Sequence, residues 1–163
     1  MTAIEMLMKD HREAVGLIDD LENSDVEQLE TADEETTVVQ SKEDLFRRLK
    51  NALTVHTQLE EQIFYPALAN FDETSEIVER SYEEHQEVNE LLSDLTGSSP
   101  TAEEWIELIG ELRENLEHHI EEEEGELFPQ AEELLGEERL EELGRQMEEI
   151  KSGAAATAGA RKR

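Results

Sequence analysis

Apolar residues recur along this chain at intervals of three and four, the spacing of one face of an α-helix. Ile4, Leu7, Val15, Ile18 and Leu21 share one stripe and predict a helix from about Ala3 to Glu22. An acidic connection, NSDVEQLETADEETTVVQ, occupies 23–40; it is long for a bundle loop and could be partly helical. Ser41, with Asp44 three residues on, resembles a cap opening a second helix that carries Leu45, Leu49, Ala52, Leu59 and Ile63 inward. Pro66 should kink that helix rather than end it, because ALANF continues the apolar pattern. A third helix is expected from Asp72 or Thr74 to about Leu95, with Val78, Val88, Leu92 and Leu95 inward.

TGSSP is a clear break. Thr101 and Glu104 form a capping-box pattern, and a fourth helix from Ala102 uses Trp105, Ile109, Leu112, Leu116 and Leu127 before it meets Pro129. Gly136 separates a short fifth helix, and the low-complexity SGAAATAGARKR is expected to be disordered. No alternating run of β-branched or aromatic residues marks a strand. The pattern predicts an all-α, up-down-up-down four-helix bundle over residues 1–150, with a short extra C-terminal helix and a tail over 151–163.

Composition narrows the function. The net charge is −30, from 44 acidic and 14 basic residues, so no nucleic-acid or anionic-membrane partner is expected. Most of these charges coat exposed helix faces, yet they could draw cations toward the protein. The absence of cysteine excludes disulfides, thiolate metal sites and cysteine nucleophiles. MTAIEMLMKDHREAV lacks a secretory-leader pattern, and no apolar run approaches a membrane span, which points to the cytoplasm.

An internal duplication singles out the histidines. DHREAVGLIDDL (10–21) aligns with EHQEVNELLSDL (84–95), so His11 falls on His85. HTQLEEQIFYP (56–66) aligns with HIEEEEGELFP (119–129), so His56 falls on His119, Glu60 on Glu123 and Pro66 on Pro129. The chain reads as two helix hairpins, each supplying a lone histidine and an H-x-x-x-E pair whose members share one helix face. His11, His56, His85 and His119 all lie on apolar stripes, whereas His118 has Glu111, Glu114 and Asn115 behind it and belongs to the solvated face.

A single histidine on an apolar stripe is usually a core residue satisfied by one hydrogen bond, and a lone H-x-x-x-E is common on glutamate-rich helices. The joint, duplicated pattern is what points to a metal site. Two carboxylates buried without a counter-charge would cost several kcal/mol, and bound cations remove that difficulty. Imidazole with carboxylate suits iron and manganese, and also zinc. Six residues are too many for one zinc tetrahedron. Two octahedral ions need about twelve donor positions, and this set leaves about two open for water, dioxygen or peroxide.

The pattern H…HxxxE…H…HxxxE, with FYPAL and LFPQA after the two pairs, resembles the hemerythrin-like HHE cation-binding domain over about residues 3–135. The resemblance implies a four-helix bundle with a non-haem, oxo-bridged di-iron centre, manganese or zinc being less expected. Carried over, the ligands are His11, His56, Glu60, His85, His119 and Glu123, with both glutamates bridging. The oxygen-carrying hemerythrins use five histidines, one glutamate and one aspartate. Here the position of their second third-helix histidine is Asn89, and His119 pairs with Glu123 instead of a later aspartate. Water or a phenol could fill the missing place, with Tyr65 and Tyr82 as candidates; Tyr65 lies roughly opposite His56 on a regular wheel and would need the Pro66 kink to turn inward.

The expected function is binding, sensing or decomposition of dioxygen or peroxide, catalase-like chemistry included. The alternative is a non-catalytic, iron- or oxygen-responsive regulatory protein, with the acidic 23–40 segment and the tail as partner contacts. Two-metal hydrolysis is a third option, though it usually needs a more open, carboxylate-rich cleft.

Overall fold

The computed structural model describes residues 1–23 and 30–161, with side chains described as far as Gly153. Every regular element among them is helical: α1 (Ala3–Asn23), α2 (Ala32–Leu59), a π-turn (Glu60–Phe64), α3 (Tyr65–Leu68), a 3₁₀ turn (Asp72–Thr74), α4 (Ser75–Thr96), α5 (Glu103–Glu122), a second π-turn (Glu123–Leu127) and α6 (Phe128–Arg161). α1 packs on α2 and α4 on α5, as the duplication requires. The result is the expected four-helix bundle. No helix among the described residues is long and apolar enough to cross a membrane.

The core falls into two clusters. One gathers Ile4 and Leu7 of α1, Leu59, Phe64, Leu127 and Phe128 around the π-turns, Ile77 of α4, and Leu140, Leu143 and Met147 of α6. The other gathers Leu17 and Leu21 with Leu49 and Leu53, and Val88, Leu92 and Leu95 with Trp105, Ile109 and Leu112. Early residues of α1 and α4 therefore pack beside late residues of α2 and α5, which fixes the alternating helix directions. Between the clusters each helix places its histidine, so the bundle has a polar layer inside an apolar column.

Several boundaries differ from the sequence reading. The second helix starts at Ala32, not near Ser41, because Thr31 caps it by accepting the Glu34 N–H at 3.1 Å. Asp33, Glu34 and Glu35 in its first turn complement the positive end of the helix dipole. Part of the acidic connection thus forms helix, and residues 24–29 of it lie outside the described residues. Thr101 does not cap α5: its hydroxyl meets the Ser99 hydroxyl at 2.8 Å, and no side chain caps the helix at Ala102. Gly136 does break the last helix, with φ 79° and ψ 162°, a conformation that glycine alone adopts readily. Beyond it the helix runs on to Arg161, in place of the disordered tail that composition predicts from residue 151. Alanine has the highest helix propensity, and AAATAGA is long enough to extend an existing helix. Lys162 and Arg163 lie outside the described residues.

α6 closes one side of the bundle against α1. A Cβ on Gly144 would run into the backbone carbonyl of Met1 and lie 3.1 Å from the Ala3 nitrogen. Lys151 reaches Asp10 of α1 at 2.5 Å.

Candidate metal centre

Both π-turns begin on a glutamate of an H-x-x-x-E pair. Tyr65 N–H bonds to Glu60 C=O and Phe128 N–H to Glu123 C=O, five residues back rather than four. In each case a proline comes one residue later, and the wider turn accommodates a residue that has no N–H to donate. The extra residue also rotates the helix beyond the turn. Tyr65, which a regular wheel puts opposite His56, is turned into the core and is only 1% exposed.

His11, His56, His85 and His119 are buried, and Glu60 and Glu123 are 0% exposed. Glu60 Oε1 lies 3.1 Å from His56 Nε2 and 3.0 Å from His85 Nε2. Glu123 Oε1 lies 3.0 Å from His11 Nε2 and 3.1 Å from His119 Nε2. Each inner carboxylate thus meets the histidine one turn before it and the lone histidine of another helix. His119 Nε2 is also 3.6 Å from Glu60 Oε1, which joins the two halves. All six residues singled out by the duplication converge.

The opposite ring nitrogens meet a second ring of carboxylates, which the sequence reading missed. His11 Nδ1 is 2.7 Å from Glu124, His85 Nδ1 3.0 Å from Glu61, His56 Nδ1 3.0 Å from Asp10 and His119 Nδ1 2.9 Å from Glu84. The arrangement repeats with the duplication. The residue after each inner glutamate holds a lone histidine, and the residue before each lone histidine holds the histidine of a pair. A signal was available in the aligned doublets Asp10–His11 with Glu84–His85, and Glu60–Glu61 with Glu123–Glu124. Donation from Nδ1 to a carboxylate fixes the ring and leaves Nε2 as the electron-pair donor, the usual support for a metal-ligating imidazole.

Tyr65 adds a phenol to the layer. Its hydroxyl donates to Glu123 Oε2 at 2.7 Å and lies 3.3 Å from His85 Nε2. Tyr82 does not reach the layer: it is 40% exposed and packs edge-on against the Tyr65 ring. Asn89 is exposed on α4. His118 is also on the outside, with its side chain 69% exposed beside Glu84 and Glu122.

The charges call for cations. Without metal, burial opposes the charged forms of His56, His119 and Glu60, yet mutual attraction prevails at each. Burial pulls the His56 imidazole down, but the charge of Glu60, the hydrogen bond to Asp10 and the close approach of the Glu60 carboxylate leave it pushed up to about 10. His119 is held well above its ordinary value against burial by Glu123, Glu60 and Glu84. Glu60 is held well below the usual carboxylate range, again against burial, by His56, Glu123 and His119. Burial and the charges of Glu60 and Glu123 push the Tyr65 phenol well up.

The fit to metal can be tested atom by atom. Glu60 Oε2 is buried with no hydrogen-bond partner, and His56 Nε2 and His119 Nε2 approach the glutamate oxygens at 3.1 Å without hydrogen-bond geometry, a costly condition that ligation would relieve. Potential donor atoms of His11, His56, Glu60 and Glu123 form one group within 4.8 Å of one another, and those of Glu60, His85 and His119 form a second. Glu60 belongs to both, so the geometry suits two neighbouring cations that share a carboxylate.

An antiparallel helical bundle with a buried histidine–carboxylate layer defines a cation-binding bundle protein. The model of the hemerythrin HHE cation binding domain matches residues 2–131, and the chain belongs to that family. An uncharacterized hemerythrin-like protein of Schizosaccharomyces pombe is 28% identical over 154 residues, covering 93% of this chain and 70% of that one. A protein of Nostoc sp. named DNA nickase is 27% identical over 113 residues; the match takes in 68% of this chain but only 31% of the relative's length. In fold, the chain is similar to the crystal structure of a hemerythrin HHE cation binding domain-containing protein from Mycobacterium kansasii, with a TM-score of 0.77 at 24% identity, covering 96% of this chain and 89% of that one.

Proposed function

We propose that the cations are two irons, held by His11, His56, Glu60, His85, His119 and Glu123, and that the centre reacts with dioxygen or peroxide. The observation that carries this reading is an imidazole-rich layer, closed to solvent, with a phenol inside it. Imidazole, carboxylate and phenol together favour iron over magnesium or copper(I), with manganese and zinc as weaker candidates. Glu60 and Glu123 are 0% exposed, so a reactant must be small enough to slip between packed helices. Two irons would supply the electrons that dioxygen or peroxide chemistry requires.

The chain's own groups do the rest. The four outer carboxylates orient the imidazoles, and the apolar clusters above and below exclude bulk water. The Tyr65 hydroxyl lies between His85 and Glu123, where it can hold a proton against Glu123. The DNA activity in the Nostoc relative's name is not extended to this chain, since a net charge of −30 opposes approach to a phosphate backbone.

The test is metal analysis of protein isolated without added metal, followed by optical spectra and oxygen-electrode traces on adding hydrogen peroxide. About two irons per chain, a charge-transfer band and oxygen release or peroxide loss are expected. Iron that binds but leaves dioxygen and peroxide untouched would favour the regulatory, iron-binding reading. Absence of iron, with zinc or manganese in its place, would overturn the assignment.

A further inference from the structure

The chain has two tyrosines, and they touch each other. Tyr65 is buried in the metal layer, and its ring is stacked on that of His85, with centroids 5.5 Å apart. Tyr82, one helical turn before His85 on α4, meets Tyr65 edge to face at 5.2 Å between centroids. Tyr82 is 40% exposed. The pair therefore spans from a candidate ligand to solvent without a gap. The single tryptophan, Trp105, sits in the other core cluster, and there is no cysteine, so these phenols are the readily oxidised one-electron donors beside the centre.

Oxidising a phenol requires its proton to leave with the electron. Tyr65 already donates its O–H to Glu123 Oε2, which can take that proton over 2.7 Å and later return it. Tyr82 can release its proton to water. We propose that Tyr65 and Tyr82 form a one-electron conduit, through which a small reductant in solution restores electrons taken at the buried centre by hydrogen peroxide.

The proposal rests on the peroxide-reactive reading above. Tyr65 gives up one electron toward the centre and its proton to Glu123. Tyr82 then passes an electron to the Tyr65 phenoxyl, which recovers its proton, while Tyr82 releases its own proton to water. An enediol reductant such as ascorbate supplies one electron and one proton to Tyr82. Two such passages, with two protons, convert one hydrogen peroxide to two waters. The conduit also explains how a centre sealed from all but small molecules could be served by a reductant too large to enter.

Two arms separate the conduit from the peroxide chemistry. In the first, metal-free protein is oxidised with a light-generated ruthenium(III) polypyridyl complex, which is too bulky to enter the bundle, and the radical is read by electron paramagnetic resonance with ring-deuterated tyrosine. In the wild type the radical should be shared between Tyr82 and Tyr65, the Tyr65 share being the part that Tyr65→Phe removes, and Tyr82→Phe should lose both. An undiminished Tyr65 radical in Tyr82→Phe overturns the conduit whatever metal the protein holds. In the second arm, iron-loaded protein receives hydrogen peroxide and a spin trap. The adduct should map to Tyr82 by mass spectrometry, disappear in Tyr65→Phe, and be suppressed by ascorbate. An equal Tyr82 adduct in Tyr65→Phe also overturns the conduit. A working first arm with no tyrosyl radical in the second overturns the peroxide reading and, with it, the refilling role. Thermal melts of both phenylalanine variants, in which only a hydroxyl is removed, establish that the fold persists.

Discussion

A rotation of one residue decides which of two adjacent histidines joins the buried layer. His118 and His119 are neighbours on the same acidic helix, yet His118 has its side chain 69% exposed while His119 is 4% exposed against Glu60 and Glu123. His119→Ala should abolish binding at one of the two positions, whereas His118→Ala should retain the full metal content; equal losses, measured by metal analysis, would show that the register is wrong. The outer carboxylates permit a subtler test. Asp10→Asn and Glu84→Gln keep the size of the side chain but weaken its hold on His56 and His119. Metal affinity should fall by about 10–100-fold in each, read as faster loss to a chelator, while the bundle stays folded. The six inner residues were legible because duplication, stripe position and residue type coincided. The outer four were not, since on helices this rich in glutamate a carboxylate beside a histidine carries little information until the helices are placed against one another.

Helix boundaries and turns show where the sequence pattern runs out. Apolar periodicity located all four bundle helices, but periodicity is silent about polar turns, so it missed the Thr31-capped start of α2. Pro66 marked a disturbance without revealing its form. A kink and a π-turn have the same sequence signature, and only the latter, with its Tyr65 N–H to Glu60 C=O bond, rotates Tyr65 into the layer. The last helix is held by contacts that sequence does not announce: Gly144 against the Met1 backbone, and Lys151 on the Asp10 that supports His56. Gly144→Ala forces a methyl group into backbone that has no side-chain rotamer to yield. It should cost about 1–3 kcal/mol despite alanine's better helix propensity. The expected signature is a melting temperature lowered by several degrees, whereas Gly153→Ala, with nothing within 4 Å, should not lower it. If Gly144→Ala melts at or above the wild-type temperature, α6 is not docked as described.

On the scale of the whole molecule, the bundle is built around charges that need their counter-ions. Six carboxylates, from Asp10, Glu60, Glu61, Glu84, Glu123 and Glu124, surround four imidazoles, and Lys151 is the one cationic side chain described on them beyond the histidines. Without metal, protons on the imidazoles take over part of the neutralisation. His56 at about 10, against an ordinary 6.5, means that the folded chain keeps a proton which the unfolded chain releases. His119 is raised in the same direction. That stabilisation is complete below about pH 6.5 and is lost as pH rises toward 10. Glu60 has the opposite dependence: its depressed value contributes above about pH 4.5 and is lost as the pH falls further. Metal-free protein should therefore be most stable between about pH 4.5 and 6.5. Across the alkaline side it should lose up to about 5 kcal/mol through His56 alone, since a tenfold change in proton affinity between the folded and unfolded chain is worth about 1.4 kcal/mol. Bound metal replaces the protons and holds the imidazoles neutral, so loaded protein should be more stable and nearly flat over the same range. Thermal melts of the two forms from pH 5 to 10 distinguish these behaviours. A metal-free melting temperature that does not fall between pH 6.5 and 10 would mean that the buried layer is not held by protonated histidines, and that its charges are balanced some other way.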